Sequence, residues 1–343
     1  MQSAARPVAQ AANPILLKAA DPASLHKLWV DAMRRGDHAM AWALCEKQAR
    51  LRPPEERDDP RLPYHQRWVW DLTDLSGRDV LVRCYHGLGD TLQFLRFLPK
   101  LRQSAARVTL EVQPRLIPLL APDCADVIAP FDPARPLRPA DCDIEIMELS
   151  FALRTPPGDC PPPYLHATPA RLPQGTIGLC CKSGDWDSDR SIPAELLAPL
   201  CQGRSCVTLD SLPNPLPVRN PQGCAFDMAE TAALVAGCSL VITVDTMIAH
   251  LAGALGRPVW LLLKHEPDWR WAPETRRSDW YPSARLYAQS RPGDWHSVIH
   301  EVAHDLDCLF PHRSLPDEPD RMPARARILG RTGRQDHHPA DQV

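Results

Sequence analysis

The sequence predicts an α/β protein with two Rossmann-like domains facing a cleft, preceded by a short helical hairpin. Three observations carry that expectation. Apolar, β-branched runs alternate with helical patterns over residues 67–310, the rhythm of parallel sheets covered on both faces. A Pro-rich passage from Thr155 to Pro173 interrupts that rhythm before Ile177-Gly-Leu-Cys-Cys181 restarts it, which marks a domain boundary. The chain has 343 residues, 44% of them hydrophobic and 24% charged, enough for two separate cores.

Residues 1–20 show no apolar pattern and are expected to be disordered. From Ala23 to Leu51 the chain is helix-forming and is broken once, at Gly36-Asp37, so residues 21–66 read as a helical hairpin and a linker. Trp29, Gly36-Asp37 and Ala41-Trp42 stand in the order of one tetratricopeptide-like unit. A single unit cannot build a solenoid, which favours a helical cap on the next domain over a partner-binding surface. The charged stretch Pro53 to Pro63 is the linker.

The first domain, residues 67–172, should hold strands at Val80–Cys84, Val108–Val112 and Ile144–Leu149. A glycine loop, His86-Gly-Leu-Gly-Asp90, a helix from Thr91 to Arg102 kinked at Pro99, and a short helix from Pro114 to Leu120 lie among them. The second domain, residues 173–310, should hold strands near 177–181, 205–209, 240–244 and 259–263. Its helices are expected near 193–201, 229–236, 246–255 and 295–309. Residues 311–343 are rich in Pro, Arg, Asp and His and are expected to be disordered.

A formal net charge of -3 argues against a nucleic-acid binder, which carries a basic stripe. The twelve cysteines form neither a C-x-x-C pair nor a Cys/His set at zinc spacing. They read as reduced thiols of a cytoplasmic protein, and the start of the chain lacks a signal-peptide pattern. No apolar run approaches the ~18 residues of a transmembrane segment. Asp141-Cys-Asp143 and Asp185-Trp-Asp-Ser-Asp189 could suggest a cation site, but the second run has Arg190 and Leu196 where a calcium loop needs Gly and Glu. Both read as solvated carboxylates, and no metal is expected.

The chemistry concentrates in two stretches. Val241 to Leu263 is a strand, helix, strand unit in which Ile248, Leu251, Ala252 and Leu255 form one buried stripe. His250 lies about 200° round the helix from Ile248, off that stripe. Asp245, Thr246 and the first helical amides fall where open parallel sheets bind ligands, and such amides suit a phosphate. The bland reading makes Asp245 or Thr246 a helix cap and His250 a surface histidine.

In the other stretch, Gly87-Leu-Gly-Asp90 lets backbone approach a phosphate or sugar closely, and Asp90 is either a cleft-exposed base or a helix cap. A dinucleotide fingerprint would need glycine at Leu92, although Glu111 suits a ribose, so a nicotinamide enzyme is a partial match. Arg190 could neutralise a diphosphate or be an ordinary surface arginine. Trp269, Trp271, Trp280 and Tyr281 could stack a base, wall a sugar pocket, or simply pack the domains together.

His86-Gly-Leu-Gly-Asp-Thr-Leu-Gln-Phe94 and the stretch from Val244 to Pro258 resemble the two signature regions of the heptosyltransferases, glycosyltransferase family 9. Asp268-Trp-Arg-Trp271, Trp280-Tyr-Pro282 and Arg190-Ser-Ile-Pro193 are similar to its bacterial branch with preceding tetratricopeptide repeats. The resemblance covers about residues 67–310. It implies a GT-B fold and metal-independent, inverting transfer from a nucleotide sugar, ADP-heptose being one candidate, without a cofactor.

By position, Asp90 would be the base. Gly87, Gly89, Lys182, Arg190, Asp245, Thr246 and His250 would hold the donor, and Trp269 and Trp271 would wall a base or sugar pocket. Arg190 falls where the family places a lysine. The acceptor could be a glycan, a lipid-linked group or a protein, and the protein could sit at the periphery of the inner membrane. The alternative is a catalytically silent nucleotide-sugar-binding scaffold whose hairpin recruits a protein partner.

Overall fold

A computed structural model describes residues 21–309; the termini expected to be disordered lie outside the described residues. The described residues open with α1 (Pro22–Arg34) and α2 (His38–Leu51). Asp21 caps α1 by accepting from Ser24 N at 2.9 Å, and Asp37 caps α2 by accepting from Met40 N at 3.1 Å. Gly36, at φ +68, makes the reversal between them.

The hairpin is seated on both domains. Arg34 Nη2 donates to Pro267 O at 2.7 Å, Arg154 pairs with Glu46 at 2.8 Å, and Trp29 lies 4.8 Å from Trp269.

The first sheet is built from β1 (Asp79–Arg83), β2 (Arg107–Val112), β3 (Val127–Pro130) and β4 (Cys142–Glu145), all parallel, in the order β3-β2-β1-β4. The long helix expected after the glycine loop is two helices, α3 (Leu88–Phe94) and α4 (Leu98–Ser104), parted by a 3-10 turn. Pro99 sits in the first turn of α4, where it sacrifices no hydrogen bond. The strand expected to reach Leu149 stops at Glu145, whose carboxylate accepts from Met147 N at 2.7 Å and turns the chain towards α5 (Leu149–Ala152).

Two carboxylates differ from expectation. Arg83 on β1 donates to Asp143 on β4 at 2.6 and 3.0 Å and to Glu111 on β2 at 2.8 Å, and all three side chains are buried. Asp143 is therefore an ion-pair partner inside the sheet and not a solvated carboxylate. Glu111, which also accepts from Leu137 N at 2.7 Å, is spent on the fold and unavailable to a ribose.

The second sheet comprises β5 (Ile177–Cys180), β6 (Cys206–Thr208), β7 (Leu240–Val244), β8 (Val259–Leu263) and β9 (Ala284–Ala288). It is parallel, in the order β6-β5-β7-β8-β9. Helices α6 (Ala198–Cys201), α7 (Met228–Gly237), α8 (Met247–Ala254) and α9 (Trp295–Leu309) cover it. One apolar cluster runs from the first sheet through α3 and α8 to one face of the second, and another fills the opposite face.

Strand order reverses between β1 and β4 in one sheet and between β5 and β7 in the other, and crevices for ligands open at such switch points. All twelve cysteines are free thiols. Among the described residues, no helix is long and apolar enough to cross a membrane.

Candidate active site

The loops leaving β1, β5 and β7 enclose a cleft of about 530 Å³ between the two switch points. Gly87, Gly89, Asp90, Lys182, Arg190, Asp245, Thr246 and His250 all line it.

On the first-domain wall, Gly87 precedes α3 and Asp90 is the third residue of that helix. Asp90 Oδ2 accepts from Gly87 N at 3.1 Å, while Oδ1 accepts from Arg270. The cap role and the place in the cleft therefore coexist in one residue. The Arg270 side chain is only 8% exposed. It also grips Asp268 Oδ1 at 2.8 Å and Gln93 Oε1 at 2.6 Å, and lies 4.4 Å over the Trp269 ring.

On the facing wall, Asp245 follows β7 directly and is 6% exposed. Burial, with the charge of Asp268, pushes its carboxyl up to about 6, against the pull of Arg190 and Arg270. Arg190 is itself buried, donating Nη1 to Asp245 O at 2.8 Å. Its neighbour Asp187 receives Lys264 Nζ at 2.8 Å. Lys182 stands exposed at the rim, its backbone N–H fixed by Asp210 Oδ1 at 3.1 Å. Thr246 caps α8 by accepting from Ile248 N at 3.1 Å, so a capping residue again stands at the cleft.

His250 is buried, although it lies off the apolar stripe, because α3 of the first domain covers the outer face of α8. A Cβ on Gly89 would stand 2.9 Å from His250 Cδ2, so glycine there permits the close approach. The imidazole Nδ1 lies 3.0 Å from Tyr281 Oη and the ring stacks 5.7 Å from Trp271. Burial, followed by Arg270, Arg96 and Arg190, holds its pKa well below the ordinary range, so it is neutral at pH 7.

Asp268 and Arg270 line the cleft, while Trp269 and Trp271 do not. Trp271 is 1% exposed behind His250, and Trp269 faces Trp29 of the hairpin. Sequence reasoning noticed this Asp-Trp-Arg-Trp run for its rings and missed its charges; the alternation of charge and ring was the available signal. It also missed Phe226 and Leu212, exposed by 65% and 57% at the lip of the same cleft. Arg115 lies 3.6 Å over the Phe226 ring. No sequence pattern distinguishes these two from ordinary loop residues.

The raised Asp245 carboxyl gives a pH prediction. Because the folded form holds this proton more tightly than the unfolded chain, its contribution to stability is full below about pH 4 and lost as pH rises through about 6. Asp245→Asn is therefore expected to melt several degrees higher than the wild type at pH 7.5. The gap should narrow at pH 4.5; a difference independent of pH would contradict the assignment.

Among the described residues, no group of three or more His, Cys, Asp or Glu is arranged to hold a metal ion. Residues 224–289, which contain β7, α8, β8 and β9, match the model of glycosyltransferase family 9 (heptosyltransferase). Protein FlbA of Caulobacter vibrioides is 25% identical over 288 residues, covering 69% of this chain and 48% of that protein. The chain thus spans about half the length of this curated relative.

A solved glycosyl transferase family 9 structure from Veillonella parvula superposes with a TM-score of 0.50 at 14% identity, covering 69% of this chain and 98% of that one. Escherichia coli ADP-heptose lipopolysaccharide heptosyltransferase II gives 0.45 at 15% identity, covering 67% and 98%. The former bears on the fold: two parallel sheets facing a cleft, the GT-B arrangement. In that fold and in its C-terminal signature, this chain resembles glycosyltransferase family 9 (heptosyltransferase).

Proposed function

We propose that the protein is a metal-independent, inverting glycosyltransferase using a nucleoside-diphosphate sugar. The observation that carries this reading is the position of Asp90 on one wall of a cleft whose other wall presents Asp245, Thr246 and the N-terminus of α8. The N-terminal amides of a helix suit a diphosphate. Arg190 and Lys182 add positive charge beside it, and Phe226 and Leu212 offer an apolar lip for the nucleobase.

In the reaction, an acceptor hydroxyl oxygen forms a bond to the anomeric carbon while the bond from that carbon to the phosphate oxygen breaks. The electron pair departs with the nucleoside diphosphate, and Asp90 takes the hydroxyl proton. Heptose is the first sugar to test, because the matched family model is described by heptosyl transfer. Arg190 in place of a lysine keeps the charge but presents it as a planar fork. The acceptor is a glycan, a lipid-linked group or a protein side chain.

Thermal shift with nucleotide sugars, followed by a transfer assay with the best of them, tests the proposal. A ligand at about 100 times its dissociation constant adds ~2.7 kcal/mol to stability. Absence of stabilisation by any nucleotide sugar would sink it. Phe226→Ala is expected to weaken ADP binding about tenfold, since stacking a base on an aromatic ring contributes about 1–3 kcal/mol. Calorimetry measures that change, and an unaltered affinity would remove Phe226 from the site.

One observation favours the catalytically silent alternative: both Asp90 oxygens already accept hydrogen bonds, from Gly87 N and from Arg270. That reading predicts saturable donor binding without transfer or donor hydrolysis.

A further inference from the structure

A second cavity, of about 410 Å³, is lined by His86, Glu145 and the helical hairpin, and does not share a lining residue with the cleft. The loop from His86 to Asp90 lies between them, with His86 in one lining and Asp90 in the other. The cavity occupies the first domain's own switch-point crevice, since His86 follows β1 and Glu145 ends β4. Its volume falls within the range of small-molecule sites.

Its walls are unusual. Five of the chain's ten tryptophans line it. Trp29 and Trp42 come from the hairpin, Trp68 from the start of the first domain and Trp269 from the second domain, and all four are only half-buried. Core packing covers indole rings; here four are left partly open round one hollow.

Polar groups stand at the base of these rings. Glu145, its side chain 4% exposed, has Oε1 at 3.1 Å from His86 Nδ1, yet neither atom completes a hydrogen bond. Trp68 Nε1 is buried without a partner. Glu148 lies beside Glu145, its carboxyl pushed up to about 7 by burial and by the Glu145 charge. The cations lie round these groups. Arg52 sits 5.5 Å over Trp68, and Arg67 is engaged with Leu62 O and Pro60 O at 2.8 and 3.1 Å.

We propose that this cavity binds the acceptor, and that the part it holds is an uncharged sugar ring. The proposal rests on the glycosyltransferase reading above. Indole faces match the C–H faces of a pyranose, while carboxylates, the imidazole and an indole N–H match its hydroxyls. Glu145 and Glu148 are offset by Arg52 and His86 beside them, so the cavity offers a charged substituent no surplus counter-charge, which favours neutral rings. An acceptor extending from this cavity into the cleft crosses the segment from His86 to the first turn of α3, which carries Asp90. The hairpin is then a wall of the acceptor site, which explains why it contacts both domains.

The test is saturation-transfer NMR on the full chain. The probes are methyl β-D-glucopyranoside, N-acetylglucosamine and cellobiose, with glucuronic acid and glucose 6-phosphate as charged counterparts and an acetylated Ser/Thr hexapeptide; ADP is titrated separately by calorimetry. At least one neutral saccharide is expected to bind saturably, and the charged sugars at least tenfold more weakly. Trp42→Ala should weaken the saccharide tenfold or more, Trp42→Phe should restore most of it, and Trp68→Phe, which removes the Nε1 donor and keeps a ring, should weaken it several-fold.

ADP affinity should stay at the wild-type value in each variant, which also reports that the variant is folded. Binding of the peptide alone, binding of no neutral saccharide, or saccharide binding indifferent to all three substitutions overturns the proposal. Failure of the wild type to bind ADP would instead count against the donor cleft, independently of the saccharide result.

Discussion

Asp90→Asn is expected to lower the rate of sugar transfer by about 10²–10⁴-fold, the usual contribution of a positioned general base, while leaving ADP affinity unchanged. The substitution keeps the shape of the side chain, and Asn Oδ1 can still accept from Gly87 N or from Arg270, the two groups that hold Asp90. Arg270 also retains Asp268 at 2.8 Å and Gln93 at 2.6 Å, so its charge stays compensated. What disappears is an oxygen able to take a proton at neutral pH. A folded variant transferring sugar at the wild-type rate would falsify the base assignment, and one that also loses ADP would place Asp90 in donor binding. The pairing with Arg270 makes the experiment informative, because a purely structural carboxylate would show its effect in melting temperature and not in rate.

The parts of this fold that the sequence reveals are those where one local pattern decides the outcome. Residues 240–244 and 259–263 form strands with the predicted bounds because strands buried on both faces are written as unbroken apolar runs. β3 and β9 escaped the same reading. β3 is a four-residue edge strand with three half-buried residues and an exposed Pro130, and β9 is interrupted by Arg285, which lies 5.1 Å over Tyr287 and pairs with Asp305.

The candidate site divides in the same way. Strand ends and the helix starts that follow them place Gly87, Gly89, Asp90, Asp245 and Thr246 at the cleft through backbone topology alone. The burial of His250 depends on α3, which belongs to another domain and is invisible to a helical wheel of α8. Arg270 meets Asp90 across 180 residues of sequence, and no spacing rule reaches that far.

Replacing Arg83 by Met should cost about 3–5 kcal/mol at pH 7.5, the effect of removing one partner from a buried ionic cluster. Arg83 is 1% exposed and is the cation between Asp143 and Glu111, with Nη2 also 3.1 Å from Leu137 O. Burial already pushes the Glu111 carboxyl up even with the guanidinium in place. Without it, both carboxyls must either stay charged in the sheet or take up protons that the unfolded chain does not hold. The Glu111 carboxyl, already raised by burial, therefore rises further in the folded variant, and the deficit should shrink as pH falls towards 5. Adding Asp143→Asn and Glu111→Gln should recover a large share of the loss, since neutral amides need no counter-charge. Urea unfolding at pH 7.5 and 5 measures both effects; a deficit equal at the two pH values would mean that lost packing, not lost charge, is responsible. Because the cluster ties β1, β2 and β4 together where β1 runs into His86 and the glycine loop, the wild-type arrangement fixes the strand ends from which both cavities are built.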